Sequence, residues 1–338
     1  DRPVSPASPL RATPDARVAT LESAPRAALP QVVDGDFARS LLAGLAQRPR
    51  RIAPKFFYDA AGSALFDRIC ELPEYYPTRT ELALLEAHAG DMARCIGPQA
   101  EIVEFGAGSS RKVRWLLDAL ERPRRFVPID ISGEHLHAAA AALRRERPGL
   151  EVRPLVADFT RPLVLPAPER GVRRVGFFPG SSIGNFDPDE ALNFLRQAGE
   201  LLRGGGLLIG VDLVKPPALL HAAYNDAAGV TAAFNLNLLA RANRELGANF
   251  DLDAFSHYAF YEPVWQRIEM HLVSRRVQQV RVCGHAFEFA EGESLHTENS
   301  YKYSVAGFRA LAAQAGYEPG PVWCDPQGLF SVHWLARP

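Results

Sequence analysis

From Glu101 onward the chain alternates short apolar runs with helical repeats, and this alternation constrains the fold more than any other feature. "EIVEFGAG" is an apolar run ending in glycines, and "SSRKVRWLLDAL" follows with Val113, Leu116, Leu117 and Leu120 at helical spacing. "RRFVPIDI" reads as the next strand and "SGEHLHAAAAALRRER" as the next helix, with Ser132 at its N-cap. "EVRPLVADF", "RRVGFFPGSSIGNF", the helix "DPDEALNFLRQAGELL" and "GGLLIGVDLV" continue the series. Five strands interleaved mostly with helices specify a parallel, doubly wound α/β sheet.

The end of the chain narrows this further. "VAGFRALAAQAGY" is a helix, and "GPVWCDPQGLFSVHWLAR" is two strands around a Pro-Gln-Gly turn. A late helix followed by a terminal antiparallel hairpin resembles the closing pattern of class I methyltransferases that use S-adenosylmethionine (SAM). The fold expected is therefore α/β and Rossmann-like, a seven-stranded sheet with a C-terminal antiparallel hairpin. Between Val214 and Ser304 the alternation breaks, first into a long helical stretch and then into strand-rich sequence with polar turns. Residues 214–305 are read as an inserted α+β substrate-binding lobe covering the strand ends. Residues 31–213 and 306–338 form the SAM-binding domain, with an N-terminal helical segment that packs beside the lobe or over the cofactor. Residues 1–30, rich in Pro, Ala and Arg, read as a flexible tail.

Composition excludes several classes. A net charge of -1 offers no basic field for nucleic acid. Cys70, Cys95, Cys283 and Cys324 are scattered without a C-x-x-C pair, as in a protein of the reducing cytoplasm. No apolar run approaches the ~18–20 residues of a membrane span, and no signal-peptide h-region is present. The histidines show no metal-ligand spacing, so no metal is expected; His135 and His137 fall on a surface-type helix, and His296 on a strand.

The cofactor is read from three successive strand ends. "VEFGAGSSRK" is a strand-to-helix turn in which Gly106 and Gly108 permit close backbone approach to a ligand. Asp130 ends the next strand, where an acid accepts hydrogen bonds from ribose hydroxyls. Asp158 and Phe159 end the third, placed for an adenine amino group and ring. The run Gly106-Ala107-Gly108-Ser109-Ser110-Arg111 lacks the third small residue of a dinucleotide turn. That favours SAM, giving S-adenosylhomocysteine, over a nicotinamide cofactor and an oxidoreductase.

Five further strings remain: "FFYDAAGSALFDRICELPEYYPTRTELALL", "FFPGSSIGNFDPDEA", "VDLVKPPALLHAAYNDAAGVTAAFNLNLL", "RIEMHLVS" and "HTENSYKY". With "VEFGAGSSRK" they resemble, in order from about Pro54 to Val332, the histidine-specific methyltransferase family. Those enzymes trimethylate the α-amino group of L-histidine to hercynine in ergothioneine biosynthesis, and relatives act on other amino acids such as prenylated tryptophan. The resemblance implies that Asn185 and Tyr224 hold the substrate carboxylate. It implies that Tyr75 or Tyr76, with Tyr75 favoured, lies near the amine and imidazole, and that Glu298 and Ser300 hydrogen-bond the imidazole. Met270 would line the same pocket, and Tyr58 and Lys112 would lie near the methionine end of SAM.

Strand alternation agrees with part of this. Glu298 and Ser300 share one face, whereas Thr297 and Asn299 face away. Bland readings stand beside each role: Asn185 as a helix cap, Tyr224 and Met270 as packing, Glu298 paired with Lys302 at the surface. Trp265 departs from the family pattern and puts a bulky ring near Met270. The competing functions are the same chemistry on another small amine, and a catalytically silent SAM-binding protein. A monomer with a small-molecule substrate is expected.

Overall fold

The structure, a computed structural model, describes residues 19–20 and 33–338. The flexible-tail expectation for residues 1–30 lies outside that range, Ala19 and Thr20 apart. No helix among the described residues is long and apolar enough to cross a membrane. The N-terminal segment supplies α1 (Val33–Ala46), the short strand β1 (Arg50–Arg51), α2 (Ala60–Ile69) and α3 (Tyr76–Ile96). Asp59 starts α2 by accepting the Gly62 amide at 2.8 Å, which satisfies one of the orphan donors of the first turn. Pro77 sits in the first turn of α3, where its missing N–H leaves no bond unmade.

The strands read from the sequence follow: β2 (Glu101–Phe105), β3 (Arg125–Asp130), β4 (Glu151–Val152), β5 (Leu155–Val156), β6 (Arg174–Phe178) and β7 (Gly205–Asp212). Between them lie α4 (Val113–Ala119), α5 (Gly133–Glu146) and α6 (Pro188–Leu201). Ser132 occupies the N-cap position of α5 but makes no side-chain cap bond. Its own amide is instead held by Asp130 at 2.8 Å. β2, β6 and β7 are buried along their whole length, which is why they read as apolar runs and not as alternating ones.

The inserted stretch contains α7 (Pro217–Tyr224), α8 (Val230–Leu246), β8 (Phe255–Glu262), β9 (Arg267–Ser274), β10 (Gln278–Val282), β11 (His285–Phe289) and β12 (Ser294–Tyr301). The chain closes with α9 (Val305–Gln314) and the antiparallel hairpin β13 (Glu318–Cys324) and β14 (Phe330–Arg337). The main sheet runs β13-β14-β7-β6-β2-β3-β4, with β5 also on β3. β4 and β5 lie along β3 in one register, so the seven-stranded sheet of the expectation is present with its edge strand interrupted. β14 is antiparallel to β7, and the ladder from β7 to β4 is parallel.

A second sheet runs β8-β9-β12-β1. Its last member comes from the N-terminal segment and pairs parallel to β12. That segment packs with the lobe: Phe37, Phe56 and Phe57 share one core with Phe234, Leu239, Met270 and Leu272. The insert leaves the main sheet after Asp212 and returns at Tyr303, and the two points are stitched together. Tyr303 N–H donates to the Asp212 carbonyl at 3.0 Å, and Val214 N–H donates to the Tyr303 carbonyl at 3.1 Å. The end of β12 is thereby fixed against the carboxyl end of β7.

Gly205, where β7 begins beside β6, shows how tightly the main sheet is built. A Cβ there would stand 1.9 Å from the Arg174 carbonyl oxygen, which belongs to backbone and cannot swing away. Gly205→Ala is expected to lower unfolding free energy by about 1–3 kcal/mol, whereas Gly149→Ala, with nothing within 4 Å, leaves it nearly unchanged. Urea denaturation of both variants measures the contrast.

Candidate active site

Two adjoining cavities open at the carboxyl ends of the main-sheet strands, where ligands of doubly wound sheets bind. The larger spans about 1720 Å³, open solvent at its mouth included, and is lined by Gly106, Gly108, Asp130, Asp158 and Phe159 among others. Gly106 has φ +69°, and a Cβ on it would reach 3.2 Å from the Phe159 ring. Only glycine fits there without strain. Asp130 accepts the Gly108 amide at 2.9 Å and the Ser132 amide at 2.8 Å, and each oxygen keeps a lone pair. Asp158 accepts the Lys55 ammonium at 2.7 Å and the Thr160 amide at 2.9 Å. Burial alone would raise its carboxyl, but Lys55 and Thr160 hold it below the ordinary value. Carboxylates at two strand ends, an aromatic face and a glycine cradle form the donor and acceptor set that an adenosine group needs. The residues present fit SAM.

Lys112 is paired outside both cavity linings. Its ammonium bonds Glu81 at 2.6 Å, and Glu81 in turn accepts the Gly180 amide at 2.8 Å. Lys112 is absent from the lining of both cavities, whereas Tyr58 lines both. His135, assigned to a surface-type helix, instead lines the large cavity and lies 3.2 Å from Asp67 of α2.

The smaller cavity, about 590 Å³ with open solvent at its mouth included, is lined by Tyr75, Asn185, Tyr224, Met270, Glu298 and Ser300, along with other residues. Five separate segments converge on it. The tyrosine pair separates: Tyr75 faces the cavity, whereas the Tyr76 hydroxyl turns away and donates to Asp212 at 2.6 Å. Asn185 donates one amide hydrogen to the Asn299 carbonyl at 2.8 Å, which leaves its other N–H and its oxygen. It does not cap α6; Asp187 does so, in a capping box with Glu190. The Tyr224 and Ser300 hydroxyls lie 2.8 Å apart. Glu298 is 8% exposed, and among the described residues no group hydrogen-bonds its carboxylate. Burial pushes that carboxyl up to about 7, against a smaller opposing pull from Lys302.

Thr297 and Asn299 do face away from the cavity, but not into water. The Thr297 hydroxyl donates to Asn235 Oδ1 at 2.8 Å, and Asn299 Nδ2 donates to Asp187 at 3.1 Å. Trp265 does not shape the pocket: it is 58% exposed at the β8–β9 turn.

The largest departure from the sequence reading is Lys302. The bland alternative pairs it with Glu298 at the surface, yet it is 3% exposed. Its ammonium donates to Asp212 Oδ2 at 2.8 Å, Ser300 Oγ at 2.8 Å and Tyr224 Oη at 3.0 Å. Asp212 also accepts from Lys215 at 2.7 Å. Burial would raise the Asp212 carboxyl, but the two ammoniums outweigh it and hold the group below its ordinary value. Strand alternation carries Lys302 onto the face of Glu298 and Ser300, which is the signal that could have found it.

On the opposite face of the second sheet, Glu269, His271 and His296 bring ligand-type atoms within 4.8 Å of one another. Their distance in sequence hid this grouping. The two imidazoles stack at 4.4 Å and 23° instead of converging on a point. Arg267 holds Glu269 at 2.9 Å, and His296 Nε2 lies 2.7 Å from Asn299 Oδ1. The contacts in place brace β9 against β12.

Comparison with known proteins identifies the family. Residues 37–337 match the model of a family described as histidine-specific methyltransferase, SAM-dependent. The histidine N-alpha-methyltransferase of Mycolicibacterium smegmatis is 45% identical over 88% of this chain and 94% of its own length. That of Mycobacterium tuberculosis is 43% identical over 88% and 94%. Among solved structures, the CcbJ methyltransferase of Streptomyces caelestis aligns at a TM-score of 0.44 and 16% identity, covering 75% of this chain and 95% of that one. By the match over nearly its whole described length, the chain belongs to the histidine-specific family of SAM-dependent methyltransferases.

Proposed function

We propose that this enzyme methylates the α-amino group of L-histidine, three times in succession, to give hercynine as in ergothioneine biosynthesis. The observation that carries the reading is the small cavity itself. It sets an amide and a phenol, Asn185 and Tyr224, beside a carboxylate and a hydroxyl, Glu298 and Ser300, in one enclosure bordering the nucleotide cavity. The two cavities share Tyr58, Phe66, Ser182 and Asn185. The 45% and 43% identical relatives named for histidine support the choice of substrate.

On this reading Asn185 and Tyr224 offer neutral donors to the substrate carboxylate. Glu298 and Ser300 take the two ring nitrogens, and a ring without them would leave a buried carboxylate unpaired. This disfavours an apolar ring such as that of a tryptophan derivative. Tyr75 and Met270 fill the wall between those ends. Asp130, Asp158, Phe159 and the Gly106–Gly108 turn would hold the adenosine part of SAM, and Tyr58 the region where the cavities meet. Bound SAM supplies an electrophilic methyl on its sulfonium. The chain's own contribution is positioning and exclusion of water, because amine attack needs alignment more than a strong acid or base. The Tyr75 phenol is buried, which raises it well above its ordinary value, so it stays protonated and acts as a hydrogen-bonding group near the amine. No metal enters this scheme. Residues 214–305 act as the substrate lobe, closing over the strand ends together with the N-terminal segment.

Mass spectrometry of an amino-acid panel incubated with enzyme and SAM tests the substrate. Histidine should gain three methyls, and no gain on histidine would end the reading. Glu298→Ala should raise KM for histidine about tenfold to a hundredfold, the value of one charge-assisted hydrogen bond. SAM affinity, read by calorimetry, should stay nearly unchanged; equal loss of both would remove Glu298 from the substrate site.

The charge state of Glu298 gives a stability signature in the free enzyme. Its carboxyl is raised from 4.5 to about 7 in the fold. A raised acid contributes stability that is complete below its unfolded value and is lost as pH climbs through the folded one. The wild type should therefore lose stability relative to Glu298→Gln between about pH 5 and pH 8, seen as a falling difference in Tm across a pH series. A difference that stays flat would place the carboxylate in a wetter setting.

A further inference from the structure

Lys302 continues the series begun by Glu298 and Ser300 along one face of the chain leaving β12. An ammonium carries three N–H donors and no acceptor. All three of Lys302's are used, at 2.8 Å to Asp212, 2.8 Å to Ser300 Oγ and 3.0 Å to Tyr224 Oη. Toward Lys302, then, both hydroxyl oxygens are acceptors. The nitrogen pins them together, and they lie 2.8 Å apart. One of the two hydroxyl hydrogens must fill that contact, since two bare oxygens so close would repel. Only one hydroxyl hydrogen remains for the cavity.

That hydrogen can leave from either oxygen, but not from both. If Tyr224 donates into the cavity, Ser300 donates to Tyr224 and shows the cavity a lone pair. If Ser300 donates into the cavity, Tyr224 shows the lone pair. We propose that Lys302 is a positioning residue that couples recognition of the two ends of the substrate through this shared hydroxyl hydrogen. The inference rests on the histidine reading above. A carboxylate at Tyr224 claims the donor and thereby fixes Ser300 as an acceptor, suited to a ring N–H. A ligand without a carboxylate leaves the hydrogen unclaimed, and Ser300 no longer has a set polarity. The site thus reads carboxylate and ring N–H jointly. Asp212 makes this possible by taking the third donor and balancing the charge, while Lys215 and Tyr76 hold its other contacts. Removing the ammonium frees the two hydroxyls to rotate and separate, and the coupling should vanish while each hydroxyl remains.

The test is a double-deletion cycle in the ligand, by calorimetry on the full chain saturated with S-adenosylhomocysteine. The four ligands are histidine, histamine, β-(2-thienyl)alanine and 2-(2-thienyl)ethylamine. They remove the carboxylate, both ring nitrogens including the N–H, or both ends at once. In the wild type the loss on removing the carboxylate should be at least about fivefold larger for the imidazole pair than for the thienyl pair, within the range of contacting groups. In Lys302→Met the two losses should agree within about twofold. Lys302→Gln, which keeps a polar group beside Asp212 but has only two donors, should behave like Lys302→Met and serves if the latter no longer binds S-adenosylhomocysteine. A merely structural lysine would weaken all four ligands alike and leave the cycle open. A wild-type cycle that closes, or a variant cycle that stays open, overturns the coupling alone. Failure of the wild type to bind histidine overturns the histidine reading and the coupling with it.

Discussion

The carboxylate of Asp212 sits where the two sheets are joined, and the smaller cavity depends on it. It ends β7, the strand from which the insert departs, and its backbone carbonyl receives the amide of the returning Tyr303. Its side chain collects Tyr76 from the N-terminal segment, Lys215 from the departing chain and Lys302 from the returning chain. Three segments far apart in sequence are thus tied to one buried anion. A buried charge is costly unless paired and hydrogen-bonded, and Asp212 meets both conditions. Removing any one partner leaves the others unbalanced, so this junction specifies one arrangement of lobe and sheet. The left-handed backbone of Ser181, at φ 54°, is held to the same point by the Asp212 amide, which donates to its hydroxyl at 2.8 Å. A strained turn of this kind persists only where its surroundings determine it.

The same cavity holds a second buried carboxylate with the opposite character. Asp212 has two ammoniums within hydrogen-bond distance and stays ionised. Glu298, two strand pairs of residues away from Lys302, feels that charge without touching it, and burial wins. One carboxylate holds the architecture together, and the other faces the cavity without a hydrogen-bond partner among the described residues. Environments that push two like groups apart mark a division of labour within a site. The division follows from the pleat: Glu298, Ser300 and Lys302 face the same way, and only Lys302 lies deep enough to reach Asp212.

Much of the fold was legible because periodicity and turn chemistry are local. The alternation from Glu101, the glycine turn at Gly106 and the closing hairpin each needed only a short window. The face assignment of Glu298 and Ser300 held for the same reason. What escaped was set by long-range packing. Arg50 and Arg51 carry no strand signal, yet they add an edge to β12 because Leu295 and His296 offer them a register. Lys302 looked like a surface cation because lysine usually is one, and only the distant Asp212 makes its burial tolerable. His135 sits on an exposed-looking helix, but α2 crosses to meet it. The Glu269, His271 and His296 grouping likewise exists only once β9 and β12 are paired. Choosing Tyr75 over Tyr76 could not come from spacing, since adjacent residues at a helix start can point either way. Tyr76 is claimed by Asp212, and Tyr75 is left to the cavity.

The N-terminal segment closes both cavities at once, and this links the two mechanically. Lys55 reaches across to Asp158 at 2.7 Å, and Asp67 meets His135 at 3.2 Å, both at the nucleotide cavity. The same segment carries Tyr58, Phe66 and Tyr75 into the smaller cavity. Both contacts are partly exposed to solvent and so are worth little by themselves. The fastening is apolar: Phe56 and Phe57 are 1% exposed, and Phe57 packs on Phe234 of α8 with ring centroids 4.5 Å apart. Burying two such rings is worth several times an exposed ion pair. Hence the Tyr58 and Phe66 side of the wall between the cavities is built on the lobe's core, whereas Ser182 and Asn185 reach it from the main-sheet domain. A change that loosened that core would disturb the smaller cavity first, because the glycine turn, Asp130 and Phe159 stand on the other sheet.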